Sequence, residues 1–167
     1  MPEGDTLHSH AGRLNRTIKG HRLTGLHTTR PDFRSHGLIG RRVLYSEARG
    51  KHLLISLEDD ATLHIHLGRA GRIRIQSVGK TAGRSGQHTF ILQTDMYRVI
   101  CANAPVVERL SQWQMARHSQ LSRLGPDILD EHLSYQEVLV RLRQQGSISI
   151  GVALLDQRIC CGIGNIY

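Results

Sequence analysis

The sequence predicts an α+β protein: an N-terminal helix, then an antiparallel β-sandwich, then the start of a second, helical unit. Three observations carry that prediction. Apolar residues near the N-terminus recur at helical spacing, residues 42–102 alternate apolar and polar in short runs separated by turn residues, and after Pro105 the spacing turns helical again.

The first helix is expected from Asp5 or Thr6 to about residue 17. Leu7, Ala11 and Leu14 fall on one face behind a good capping residue, and Gly20 follows the run. Strands are expected at residues 42–46, 52–57, 62–67, 72–76, 89–93 and 97–102. The alternation of Leu63, Ile65 and Leu67, and of Ile73 and Ile75, implies sheets with one buried face. Turn signals divide the strands at Glu58-Asp59-Asp60 and in the Gly-rich run 79–86. Short strands with polar connections favour an antiparallel sandwich, because a parallel sheet needs a crossover helix between successive strands. Helices are then expected at 106–115 and at 134–145, the second with Ser134 as cap and Glu137 three residues on. A further helical or apolar run covers 148–155. The expected domains are a β-sandwich at 1–115 and an incomplete helical unit at 118–167.

Composition narrows the function classes. Lys and Arg total 22 against 14 Asp and Glu in 167 residues, a net charge of +8, so polyanions are the expected partners and nucleic acid leads among them. Aromatic residues make up only 4%, which argues against gripping single strands by base stacking and favours groove and phosphate contacts. The three cysteines, Cys101, Cys160 and Cys161, form neither a disulfide framework nor a zinc motif. With no secretion-type N-terminus and no run of about 18 apolar residues, the expectation is a cytoplasmic, monomeric protein with no membrane partner.

The most reactive group is at the start of the chain. A small residue at position 2 permits removal of the initiator Met, which exposes Pro2 as a secondary amine. An α-amino group titrates near about 8, so a useful fraction is neutral and nucleophilic at physiological pH. Glu3 follows directly and can move protons. A proline at position 2 is also common as an inert residue, so the surrounding pattern decides its meaning.

That pattern is Met1-Pro2-Glu3-Gly4-Asp5-Thr6, which resembles the opening of the formamidopyrimidine-DNA glycosylase/endonuclease VIII family, most of all its bacterial endonuclease VIII-like members. Further similar segments follow in order: Arg49-Gly50-Lys51-His52-Leu53-Leu54, His64-Ile65-His66-Leu67-Gly68-Arg69-Ala70-Gly71-Arg72, Leu124-Gly125-Pro126-Asp127-Ile128-Leu129, and Leu154-Leu155-Asp156-Gln157 leading to Gly162-Ile163-Gly164-Asn165-Ile166-Tyr167. The resemblance implies a bifunctional DNA glycosylase/AP lyase acting on double-stranded damaged DNA, with oxidised pyrimidines as substrates. Pro2 is then the Schiff-base nucleophile, Glu3 the acid/base group, and Lys51 a phosphate-holding residue that assists elimination. Arg69, with His66 beside it, fills the gap left by a flipped base, and Gly164 and Asn165 approach a phosphate. The segment from Leu124 implies entry into a helix-two-turns-helix domain.

Several departures qualify the resemblance. Many relatives carry Met where Arg69 stands, and formamidopyrimidine-type enzymes carry Arg and Phe where this chain reads Cys101-Ala102-Asn103-Ala104-Pro105-Val106-Val107-Glu108. The family's zinc finger has no counterpart within the chain, its site falling beyond Tyr167, so no metal or other cofactor is expected here. His64 and His66 read as structural or phosphate-facing residues, no third metal ligand being placed by sequence. Lys51 and Arg69 also fit ordinary solvated basic residues. A non-catalytic DNA-binding fragment remains the alternative to the enzyme, with an RNA-associated basic protein behind it.

Overall fold

The computed structural model describes residues 2–79 and 88–165. Most of the Gly-rich turn expected at 79–86 lies outside the described residues, as do Met1, Ile166 and Tyr167.

Helix α1 (Gly4–Thr17) places Leu7, Ala11 and Leu14 on its buried face, and Ile18 continues the stripe. It begins earlier than expected: Glu3, not Asp5 or Thr6, is the capping residue, and its side chain makes no cap hydrogen bond. Eight strands follow: β1 (Leu23–Thr28), β2 (Val43–Arg49), β3 (His52–Leu57), β4 (Ala61–His66), β5 (Arg72–Ser77), β6 (His88–Thr94), β7 (Tyr97–Ala102) and β8 (Val106–Leu110). They form two antiparallel sheets, ordered β1-β6-β7-β5 and β2-β3-β4-β8, so the sandwich is as expected. The β3–β4 turn sits where Glu58-Asp59-Asp60 predicted it, with Asp59 and Asp60 both at positive φ.

The main core lies between the sheets and under α1. Leu53, Ile55, Leu63, Ile65, Phe90, Leu92 and Val99 are fully buried with Leu7 and Leu14, and Phe33 packs on Phe90 with ring centroids 5.6 Å apart. Each such side chain contributes roughly 1.5–3 kcal/mol on burial. Helix α1 also protects the sheet's β2 edge. Asn15 donates its amide to the Ser46 carbonyl at 2.8 Å and accepts from the Ser46 N–H at 2.7 Å, which occupies edge groups that a further strand would otherwise claim.

Two expectations fail here. Residues 106–115 are not one helix: 106–110 form strand β8, paired to β4 with Val107 opposite Ile65, and α2 (Gln112–Arg117) starts only after Ser111. Ser111 and Gln114 make a reciprocal capping box that fixes this start, and Val106-Val107 prefers the extended chain before it. Strand β1 also went unpredicted, because Thr24, Gly25 and His27 dilute its apolar pattern to Leu23 and Leu26.

The expectation of one buried face holds least well for β3 and β4. Every residue of β3 is buried, and so is every residue of β4 except the half-buried His66. The second face is covered by the connector after β8, where Leu54, Leu110, Leu121, Leu124 and Cys161 form a smaller core. Beyond this connector lie α3 (Tyr135–Arg143), capped by Ser134 as expected, and the short α4 (Ile150–Leu155). Ala153 is the one buried residue in these two helices. No helix among the described residues is long and apolar enough to cross a membrane.

A directed hydrogen-bond chain crosses the covered face. The backbone N–H groups of Gln120 and Leu121 both donate to His118 Nδ1, so its Nε2 carries the proton and donates to Glu108 Oε1 at 2.9 Å. The same carboxylate oxygen accepts from His64 Nδ1 at 2.7 Å, which leaves His64 Nε2 to accept from His52 Nδ1 at 2.8 Å. His64, Glu108 and His118 are grouped closely enough to suggest a metal site, but the nitrogens facing Glu108 both carry protons in this arrangement and offer no lone pair.

Burial, reinforced by the neighbouring His64, His66, His118 and Arg49, pushes His52 down to about 3. Burial also lowers His64, against the opposing pull of Glu108. The folded chain therefore binds fewer protons than the unfolded chain below pH about 6.5, so stability is complete above that pH and declines as the pH falls. His52 alone should remove about 2 kcal/mol between pH 7.5 and 5. Urea midpoints measured at the two pH values should differ accordingly, and His52→Phe should flatten the difference. Hydrogen exchange should find the amides of α3 and α4 opening at least about a hundredfold more readily than those of β3 and β4.

Candidate active site and nucleic-acid interface

The site is assembled where three glycines let separate chain segments touch. The Gly4 N–H donates to the Gly162 carbonyl at 3.0 Å, and a Cβ on Gly4 would lie 2.7 Å from Gly162 Cα. Gly50, at φ 57°, ends the β2–β3 turn against Cys161, where a Cβ would lie 2.9 Å from the cysteine Cβ. Gly162 itself has φ 108°, a conformation that side chains rarely adopt. The start of α1, the turn carrying Lys51 and the segment before Asn165 thereby converge on one point.

Asp127 holds the same three parts from the other side. Its Oδ2 accepts from the Gly50 N–H at 2.6 Å and sits 3.0 Å from His8 Nε2 on α1, while Oδ1 accepts from the Leu129 N–H at 2.9 Å. Its backbone neighbours pair with the returning segment: the Cys161 N–H donates to the Pro126 carbonyl at 2.9 Å, and the Ile128 N–H to the Cys161 carbonyl at 3.0 Å. Gln157 closes the loop, its Oε1 accepting from the Gly162 N–H and its Nε2 donating to the Ile163 carbonyl. The segments Leu124-Gly125-Pro126-Asp127 and Gln157 to Gly164 are thus one structural unit.

Glu3 is the most unusual residue of this junction. It is 2% exposed, and both carboxylate oxygens are buried without a hydrogen-bond partner among the described residues. An unpartnered buried polar group of this kind costs about 1–3 kcal/mol, more when charged. The carboxylate lies so close to Gly164 that any side chain there would overlap it, which accounts for the glycine. Asn165, the next residue, is exposed.

Pro2 is half-buried and opens onto a cleft of about 440 Å³ shared with Thr6, His10, Arg69, Ala70, Gly71, Arg72 and Ile73. The 68–70 turn after β4 presents Arg69, which is exposed, to this cleft. Gly68 has φ 58°, and its N–H donates to His66 Nδ1 at 3.1 Å. His66 therefore buttresses the Arg69 turn and packs on His52, with ring centroids 4.8 Å apart, and it is not a wall of the Pro2 cleft. Burial, and then the charge of Lys51, lower the His66 pKa. A larger cleft of about 820 Å³, bordered by Glu47, Asp127 and Glu137, contains none of the sequence-predicted site residues.

Pro2 and Arg69 therefore share one cavity, Glu3 and Gly164 are in contact, and the turn that carries Lys51 meets the Cys161–Gly162 segment through Gly50. Asp127, Thr6 and His10 were not singled out by sequence. Thr6 and His10, four residues apart on one face of α1, continue the same interval from Pro2 ahead of the helix, and that spacing is the signal that would have found them.

The cysteines do not suit the zinc that the resemblance associates with this family. Cys101 lies in the main core and Cys161 in the smaller one, where its thiol donates to the Gly125 carbonyl. Burial pushes both thiols up to about 12, against the thiolate that a metal requires.

Comparison with known proteins agrees with this architecture. The chain is 36% identical over 169 residues to "Probable endonuclease 8 2" of Streptomyces coelicolor, covering 100% of the chain and 60% of that protein. It is 34% identical over 170 residues to "Endonuclease 8" of Escherichia coli O1:K1, covering 99% of the chain and 64% of that relative. The chain thus spans less than two thirds of either protein. Among solved structures, it superposes on the Lactococcus lactis formamidopyrimidine DNA glycosylase bound to DNA containing an AP site, with TM-score 0.81 at 20% identity over 99% of this chain and 66% of that one. A complex of MutM with DNA containing carbocyclic 8-oxo-G gives 0.82 at 22% identity, over 99% of this chain and 66% of that one. Residues 1–105 match the family described as "Formamidopyrimidine-DNA glycosylase N-terminal domain", and the chain belongs to that family of DNA repair glycosylases.

Proposed function

We propose that this chain carries the catalytic half of a DNA glycosylase/AP lyase that removes oxidised bases from double-stranded DNA, pyrimidines foremost, through its N-terminal amine. The observation that carries this is the pairing of a half-buried Pro2, open to a cleft, with the adjacent buried carboxylate of Glu3, which has no hydrogen-bond partner among the described residues. Buried carboxylates without hydrogen-bond partners are rare in folded proteins, and groups of this kind cluster at functional sites. Resemblance to endonuclease 8 and to glycosylases solved on DNA supports the same reading.

The mechanism follows from the groups. With Met1 removed, the Pro2 nitrogen attacks C1′ of the deoxyribose and loses its own proton, the glycosidic bond breaks, and the base departs with a proton. The C1′–O4′ bond then opens, O4′ takes a proton, and C1′ and the Pro2 nitrogen are left joined as an iminium. Glu3 moves protons at the sugar and the leaving group. The resulting iminium acidifies C2′–H, and loss of that proton expels the 3′ phosphate by β-elimination. Lys51 and Asn165 hold phosphates on either side, and Arg69 enters the gap left by the flipped nucleotide. His66 acts one step away, by setting the turn that carries Arg69. The net charge of +8 supplies salt-sensitive retention on the duplex. A DNA-binding fragment without catalysis is the alternative, and it differs by forming no covalent intermediate.

Borohydride trapping on a duplex with one abasic site tests the proposal. The native chain should form a covalent adduct that disappears when one residue is added before Pro2; absence of an adduct at high protein concentration and low salt would leave the binding-fragment reading. Glu3→Gln should still form the adduct on a preformed abasic site while losing about a hundredfold or more in base excision, measured by single-turnover cleavage. Gly164→Ala should also cut excision strongly, because its methyl group would displace the Glu3 carboxylate.

A further inference from the structure

The Pro2 cleft runs along α1 rather than ending at the amine. Pro2, Thr6 and His10 succeed one another at four-residue intervals on one wall, and Arg69, Ala70, Gly71, Arg72 and Ile73 form the other. If Pro2 attacks C1′, the group attached to C1′ must be placed beside Pro2, and the cleft along α1 is the space that adjoins it. At about 440 Å³ it is within the range of sites that enclose a small flat ligand.

His10 has an unusual setting in that wall. Its Nδ1 is buried with no hydrogen-bond partner among the described residues, although the residue as a whole is only half-buried. A stranded N–H is less tolerable in a protein interior than a stranded lone pair, so the favoured tautomer leaves Nδ1 bare and places the proton on Nε2. Burial, and then the charge of Arg13 one turn further along α1, lower the His10 pKa and disfavour a second proton on the ring. His10 therefore presents one N–H donor and no charge.

We propose that His10 is a specificity-determining residue that reads the base turned into the Pro2 cleft, its Nε2–H donating to a carbonyl or hydroxyl oxygen of an oxidised base. The facing wall has the same character. Arg72 is a further donor, while the Thr6 hydroxyl donates to Asp5 Oδ1 at 3.2 Å and has only acceptor capacity left, and Ala70, Gly71 and Ile73 offer short or apolar surface for a ring face. Oxidation adds oxygen acceptors to a base, so a donor-lined cleft favours an oxidised base over its parent. The role of His10 rests on the proposed function, since it requires Pro2 to attack the sugar carrying that base.

The experiment compares two duplexes, one with 5,6-dihydroxy-5,6-dihydrothymine and one with a preformed abasic site, which has no base to read. Single-turnover base excision on the first and borohydride trapping on the second are measured for the native chain, His10→Leu and His10→Gln. The fall in excision for His10→Leu should exceed the fall in abasic trapping by about tenfold, the value of one well-placed hydrogen bond, and His10→Gln should recover part of it. Equal losses on both duplexes would make His10 a structural residue and overturn the proposal, as would unchanged excision. A native chain inactive on both duplexes would overturn the proposed function, and the role of His10 with it.

Discussion

The close approach of Gly4 to Gly162 is the constraint on which the rest of the site depends. Two backbones meet there with a hydrogen bond of 3.0 Å and no space for a side chain on Gly4. That contact brings the N-terminus, which a β-sandwich alone would leave at its edge, to the far end of the chain's helical segment. Gly50 joins from a third direction, and Asp127 fixes the arrangement by bonding the Gly50 backbone and facing His8 on α1. Any one of these contacts is worth only a few kcal/mol. Together they bring the start of α1 beside Pro2, the buried carboxylate of Glu3 and the turn that carries Lys51 to one place.

The rest of the fold supplies rigidity for that junction. Strands β3 and β4 are buried on both faces, between the main core and the Leu54–Leu121 cluster, so the turn before Lys51 hangs from the most deeply packed part of the molecule. The His118–Glu108–His64–His52 chain ties the connector to the same strands, with every proton direction set from the Gln120 and Leu121 amides. By contrast, α3 and α4 bury almost nothing, and the orphaned Glu3 carboxylate opposes stability where the proposed chemistry needs it. The satisfied histidine chain thus lies behind the junction, and the Glu3 carboxylate, without a partner among the described residues, lies within it.

Much of this was legible in the sequence, for identifiable reasons. The helical spacing of Leu7, Ala11 and Leu14, and the alternation in β4 and β5, are local patterns that survive folding, and they gave the helix and the sandwich. Pro2, Glu3, Lys51 and Gly164 stand out in the sequence only because a family pattern marks them, and the close packing of Gly162 and Gly164 makes physical sense only when their distant partners, Gly4 and Glu3, are seen. Residues 106–115 misled because Val106 to Leu110 fits either period, and only pairing with β4 decides between them, although the Ser111–Gln114 capping box already marked the later helix start. The histidine chain was hidden for a related reason: His64 and Glu108 become neighbours only through the β4–β8 register, and His118 only through the connector. His10 stood in plain view on α1, but its significance depends on a facing wall more than fifty residues away in sequence.

If the terminal amine of Pro2 is the reacting group, as proposed, the covalent bond to the sugar must form there. After borohydride reduction on abasic DNA, proteolysis and mass spectrometry of the cross-linked peptide should place the sugar remnant on a peptide that begins at Pro2. A remnant on Lys51 or another lysine, or on a terminus still bearing Met1, would rule out Pro2 as the nucleophile.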